Sequence, residues 1–154
     1  MSHVPGLRSP YAKVGRLIYF GRMLDKIRLH AAGALPPEYV ANLGDERGPF
    51  FLDARICRFL GVRFAAIQAR TVQGGTDEEV LAWVEARGTP RSDEECAIWN
   101  RFLSKLGWRD DRSAVLAQRI KDANFTGLPI ETLIDFLEFD EGRNPAVDRP
   151  WEKI

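Results

Sequence analysis

The chain has 154 residues, enough to bury a hydrophobic core, and its 45% apolar and 29% charged composition is ordinary for a water-soluble globular protein. No apolar run approaches the ~20 residues of a membrane span or forms a signal-peptide core, and Cys57 and Cys96 stand apart with no CxxC pair, which predicts a reduced, cytoplasmic setting. Formal net charge is zero, yet residues 1–70 hold 11 Lys/Arg against 5 Asp/Glu (+6) and residues 71–154 hold 11 against 17 (−6). That split suits attraction between the halves, within a chain or across a homo-oligomer, and it also suits an anionic ligand on the first half.

In chain order, Ser9-Pro10 reads as an N-cap followed by proline at the first helical position, and it predicts a long helix to about Ala32, ended by Gly33. A loop with Pro36-Pro37 and residues 44–49 follows. Asp53 is placed to cap a short helix, ARICRFL, closed by Gly61, and a further helix is expected from about Arg63 to Gln73 before Gly74-Gly75. Thr76 with Glu79, and Ser92 with Glu95, spell two capping boxes, opening helices that Gly88 and Gly107 end. Another helix is expected from Asp110 or Asp111 to about Asn124, and IETLIDFLEF forms the last. Apolar residues recur at helical steps (Val80, Leu81, Val84; Ile98, Trp99, Phe102, Leu103, Leu106; Val115, Leu116, Ile120), and only PFFL (49–52) hints at a strand. The expectation is an all-α single domain over residues 1–141, a bundle of six to seven helices with the long N-terminal helix central. Residues 142–154, with two prolines and no periodicity, predict an extended C-terminal tail anchored by Trp151.

The first helix carries the most chemistry. Around a helical wheel Val14, Leu17, Phe20, Gly21, Leu24, Ile27 and Ala31 fill an apolar arc of roughly 140°. Arg28 falls inside it and Asp25 at its edge, three residues apart over the bare Gly21, so Asp25–Arg28 is expected to be a structural pair. Arg22 and Lys26 lie one turn apart with like charge and repel unless an anion lies opposite. That anion is either a carboxylate of the protein, such as Asp53 or Glu38, or a ligand. A small-anion site at this helix and the following loop would use Arg22, Lys26 and Arg58 as cations. Tyr39 and His30 would shape its rim and Asp53 or Asp25 would orient the cations.

Other chemistries lack their residues. The sequence has only His3 and His30, no HExxH, no GxxxxGK, no GxSxG elbow and no metal-type cysteine spacing, so no metal, cofactor or catalytic group is assigned. Asp77–Glu79 and Asp93–Glu95 read as first-turn acids favoured by the helix dipole. Glu138–Arg143 reads as a solvated helix end, and Trp83, Trp99 and Trp108 as core. Basic residues interleave with aromatics from Arg55 to Phe64, but without a recognition helix or RNA-binding signature nucleic acid is not the expected partner. Without a catalytic group, an interaction or self-association module is the alternative to a ligand binder.

These residues together resemble a bacterial domain-of-unknown-function family, numbered five thousand and sixty-nine. The likeness lies in Arg8-Ser9-Pro10, then Arg22, Asp25, Lys26, Ile27 and Arg28, then Gly33, Leu35, Pro36 and Tyr39. It continues through Asp53 to Val62, Asp77 to Val84, Trp99 to Asp110 and Asp140 to Arg143. The resemblance implies a small soluble bacterial protein and brings no activity with it. The segment between Asn42 and Ala54 departs from the short glycine-rich link of the family, which leaves open where Asp53 lies relative to the first helix.

Overall fold

The computed structural model describes residues 3–154 and is mostly helical. Seven helices of eight residues or more form its body among these residues: α1 (Phe20–Ala31), α3 (Leu52–Leu60), α4 (Phe64–Val72), α5 (Asp77–Arg87), α6 (Asp93–Lys105), α7 (Ser113–Asp122) and α8 (Leu133–Asp140). Two single-turn helices add to them, α2 (Pro37–Val40) and α9 (Pro145–Asp148), so the helix count exceeds the six or seven expected. Both capping boxes form as spelled: Thr76 and Ser92 accept the amides of Glu79 and Glu95, whose side chains bond back to the cap residues. Gly61 takes the left-handed conformation (φ +71°) that ends α3. No helix among the described residues is long and apolar enough to cross a membrane.

The N-terminal helix is shorter than expected. Residues Lys13–Val14 (β1) and Leu17–Ile18 (β2) form a two-stranded antiparallel hairpin, pairing Lys13 with Ile18 and Val14 with Leu17, and helix begins only at Phe20. The partners that stabilise this lie some eighty residues away. Asn100 on α6 accepts from the Ile18 amide (3.0 Å) and donates to the Arg16 carbonyl (2.8 Å), and the Trp99 indole donates to the Ile18 carbonyl (3.3 Å). With their backbone groups satisfied from the side, these residues need no helical bonds of their own. Ser9 does not cap a helix; its hydroxyl accepts from the Tyr11 amide and donates to Glu138.

Two further expectations change. PFFL is no strand, since Leu52 already belongs to α3. The tail is not extended: Asn144 caps α9 through the Ala146 amide, Pro150–Lys153 form a 3-10 turn, and Trp151 packs edge-on against Tyr11 at 6.4 Å. Of the apolar residues assigned inward, Ile98, Phe102 and Trp108 are exposed.

α1 lies at the centre. Every residue from Phe20 to Ile27 is buried, Arg22, Asp25 and Lys26 included, so this part of the helix has no wet side. Phe20, Met23, Leu24 and Ile27 join Leu17, Ile18, Ile56, Leu60, Ile67, Leu103 and Ile134 in one core. Three buried charges among them each require a partner, since an uncompensated buried charge costs several kcal/mol, on the order of 3–5 when one partner is removed.

Candidate functional site

The charges of α1 have protein partners. Asp25 is held chiefly by Arg8, whose Nε and second terminal nitrogen donate to its two oxygens at 2.6 and 2.7 Å, and whose backbone amide adds a third bond at 3.1 Å. Arg28 stands 3.8 Å from Asp25 and meets Asp77 at 2.7 Å, which Arg8 also meets at 2.7 Å. The expected Asp25–Arg28 pair is therefore the weak edge of a four-residue network whose main bond is Arg8–Asp25. Gly21 makes room for it: a Cβ there would lie 2.6 Å from an Arg8 nitrogen.

Arg22 and Lys26 head two buried triads of the same composition. In the first, Arg22 donates to both oxygens of Glu141, one of them at 2.9 Å, and to the Arg8 carbonyl at 3.0 Å. Tyr39 donates its hydroxyl to Glu141 at 2.9 Å, and Arg143 adds a second cation at 2.6 Å. Burial opposes the Arg22 charge, but Glu141 outweighs it and raises the arginine's proton affinity. Burial likewise pushes the Glu141 carboxyl up, while Arg22 outweighs that and holds it below the usual carboxylate value.

In the second triad Lys26 donates to Asp53 at 2.7 Å and to the Tyr19 hydroxyl at 3.0 Å, and Tyr19 donates to the same Asp53 oxygen at 2.7 Å. The other Asp53 oxygen accepts the Gly44 amide at 3.2 Å, which ties the loop between α2 and α3 to the triad. Burial lowers the Lys26 ammonium below its ordinary value, and the opposing pull of Asp53 does not restore it. Burial, and after it Asp53, raises the Tyr19 hydroxyl far above its usual range. Tyr19 also holds a left-handed backbone (φ +71°), uncommon for a bulky residue and placed where α1 starts.

Both triads border one cavity of about 530 Å³, within the range of small-molecule sites. Tyr19, Arg22, Lys26 and Tyr39 line it from α1 and α2. Phe50, Phe51 and Leu52 form one apolar wall, and Leu106, Leu133, Phe136 and Leu137 another. α7 contributes Arg119 and Asp122, with Arg112 at its N-cap and Ala123 at its C-cap; Glu38, Asn42 and Asp140 complete the lining. Arg112 lies over the exposed Phe50 ring at 4.5 Å. No ion pair joins Arg112 or Arg119 to a carboxylate among the described residues.

Of the six residues assigned to a ligand from sequence, the structure brings Arg22, Lys26 and Tyr39 to this cavity. Asp53 stands behind Lys26, fully buried, and caps no helix. Arg58 is exposed and donates to the Pro49 carbonyl, while His30 is exposed in the last turn of α1; neither lines the cavity. Sequence reasoning missed Glu141, which belongs to the cluster read as a solvated end although Glu138, Asp140 and Glu141 are all buried. It also missed Arg112 and Arg119. The signal for Glu141 was present: a buried RxxDKIR helix needs carboxylates from elsewhere, and the dense acids of residues 138–141 were the available supply.

Comparison with curated proteins and with solved structures returns no match to this chain. The family described as "Domain of unknown function (DUF5069)" matches residues 4–143, nearly the whole length, and the chain belongs to that family.

Proposed function

We propose that the chain binds a small organic anion with an apolar body in the cavity bordered by the two triads. The observation that carries this is the contrast among the cavity's cations. Arg22 and Lys26 are neutralised by Glu141 and Asp53, so they do not call for a ligand's charge. Arg112 and Arg119 form no ion pair with a carboxylate among the described residues, although Glu38, Asp122 and Asp140 line the same cavity, and they share that space with Phe50, Phe51, Leu133 and Phe136. Two guanidinium groups in a cavity with aromatic walls favour a carboxylate or phosphate carried on a ring or chain. This moves the anion's contacts from the first helix, where the sequence put them, to α7.

Thermal-shift and calorimetric titration with phenylacetate, phenyl phosphate and the neutral benzyl alcohol test it. The two anions are expected to raise the melting temperature and the alcohol not to. Arg112→Ala and Arg119→Ala should each weaken anion binding roughly tenfold, about 1.4 kcal/mol for a charge-assisted bond. Equal binding of anion and alcohol, or variants that bind unchanged, would remove the reading. The free, buried Cys57 and Cys96 are in keeping with a reducing, cytoplasmic setting.

One observation supports self-association as a second reading. Ile98 and Phe102, one turn apart on α6, are exposed beside Phe50 and Arg55, whose guanidinium lies over both phenylalanine rings. Sizing across protein concentration and at two salt concentrations separates the readings. A monomer unchanged at high concentration removes the second.

A further inference from the structure

We propose that Lys26 forms an imine with the carbonyl carbon of a small oxo acid held in the cavity, an inference that rests on the anion-binding reading above. Lys26 is the one primary amine lining this space among the described residues. Its ammonium is held by Asp53 at 2.7 Å and by the Tyr19 hydroxyl at 3.0 Å. These two bonds use two of its three N–H groups and leave the third without an acceptor among the described residues. The nitrogen is thus held at its base with one position left over, and once Asp53 has taken a proton, rotation about the Cε–Nζ bond brings the lone pair to that position. Burial, which lowers the proton affinity of Lys26, favours the amine needed for attack. The acid group of the ligand would meet Arg112 or Arg119, so one molecule would bear both a carboxylate and a carbonyl.

The step balances without an oxidant or reductant. The Lys26 ammonium passes one proton to Asp53, and the free amine attacks the carbonyl carbon. A carbon–nitrogen bond forms, the carbon–oxygen π bond breaks, and the proton lost by nitrogen goes to that oxygen, giving a carbinolamine. Asp53 then returns its proton, the carbon–oxygen bond breaks, and water leaves. The product is a protonated imine on Lys26 and an ionised Asp53, so a cation still faces the carboxylate. Tyr19, a lining residue with its hydroxyl 3.0 Å from the nitrogen, orients the amine. Arginine, at the corresponding place in the other triad, cannot do this chemistry because it does not give up its proton.

The test is reductive trapping on the intact chain with phenylpyruvate and cyanoborohydride, read by peptide mass mapping and run beside a thermal-shift titration with the same acid. The expected result is a saturable adduct on Lys26 in preference to the exposed Lys13, Lys105, Lys121 and Lys153. Excess phenyllactate, which has the acid but no carbonyl, should suppress it. Lys26→Arg, which keeps the charge facing Asp53, should lose that adduct entirely, and Tyr19→Phe should slow its formation. No adduct on Lys26, or adducts confined to the exposed lysines, overturns the inference. If phenylpyruvate still raises the melting temperature in that case, anion binding stands without the imine; if it does not, both readings fall.

Discussion

The Arg22–Glu141–Tyr39 and Lys26–Asp53–Tyr19 triads use the same three kinds of group on neighbouring turns of α1, yet the balance of forces in them is opposite. At Arg22 the pairing outweighs burial and the cation is held more firmly than in water. At Lys26 burial outweighs the pairing and the cation is held less firmly. The partners account for the difference. Glu141 is bound by two guanidinium groups, Arg22 and Arg143, in a geometry with two parallel bonds to one of them. Asp53 faces a single ammonium, a phenol and one backbone amide. The first triad therefore fastens the C-terminal segment to α1, and the second leaves its cation with the lowered proton affinity that burial imposes. Two sites of like composition thus separate into a clamp and a titratable group by the number of their counter-charges.

The largest effect is expected from breaking the clamp. Glu141→Gln removes the charge between two cations, one of them fully buried, and should destabilise the fold by about 3–5 kcal/mol in urea unfolding. Adding Arg22→Met should bring little relief, because Arg143 has still lost the closer of its two carboxylates, keeping only Glu138 at 2.9 Å, and Tyr39 has still lost its charged acceptor. Lys26→Met should cost about 3 kcal/mol by leaving Asp53 charged and buried. Here the second change should help: Asp53→Asn removes the charge but keeps an acceptor for Tyr19 and Gly44. The Lys26→Met, Asp53→Asn double variant should recover about 1–3 kcal/mol of that cost. A double variant at Arg22 and Glu141 that recovers as much would break the distinction.

The tyrosines give a smaller contrast. Tyr19→Phe and Tyr39→Phe each delete a hydroxyl bonded to an ionised carboxylate, worth about 1.5–3 kcal/mol. Tyr19→Phe should be the costlier of the two, since it leaves Asp53 with two bonds while Glu141 keeps both arginines. Unfolding midpoints of the two variants in the same buffer decide it.

Much of the helical framework was legible because its signals are local. Thr76 and Glu79, or Gly61 after Leu60, act over a few residues, and nothing distant overrides them. The hairpin at residues 13–18 was not legible, because Asn100 and Trp99, which satisfy its backbone, lie far along the chain. The candidate site divides in the same way. Helical spacing singled out Arg22 and Lys26 as needing an anion, and Asp53 was named among the candidates for it. Glu141 sits 119 residues from Arg22, and sequence spacing carries no information about such a pair. The helical spacing assigns Asp25 to Arg28, one turn further on, whereas the tertiary fold brings Arg8 closer. Where two partners compete, proximity in sequence is a poor guide to the shorter bond.

The finest test of the contrast is in its pH dependence, and the two triads should respond at opposite ends of the scale. Glu141 has a folded pKa below its ordinary 4.5, so its contribution is fully present above that value and is lost as pH falls through the folded value. Asp77, held down by Arg28 and Arg8 against burial, acts in the same sense below 3.8. Glu138, raised by burial, acts in the opposite sense, because its contribution is present below 4.5 and fades as pH rises through its higher folded value. Comparing wild type with Glu141→Gln isolates one group from the others, and the stability difference should shrink as the solution is acidified below 4.5. Lys26 has a folded pKa below 10.5, so between that folded value and 10.5 the folded state holds fewer protons than the unfolded chain and stability rises with pH. Tyr19, Tyr39 and Cys57, the last pushed up by burial to about 12, pull the other way in alkali. They are common to both proteins when wild type is compared with Lys26→Met, so to first order they cancel. The stability difference for that pair should therefore widen as pH rises from neutrality towards 10.5. A flat difference would mean that pairing with Asp53 fully offsets burial at Lys26, and the contrast with Arg22, where pairing more than offsets burial, would shrink to one of degree.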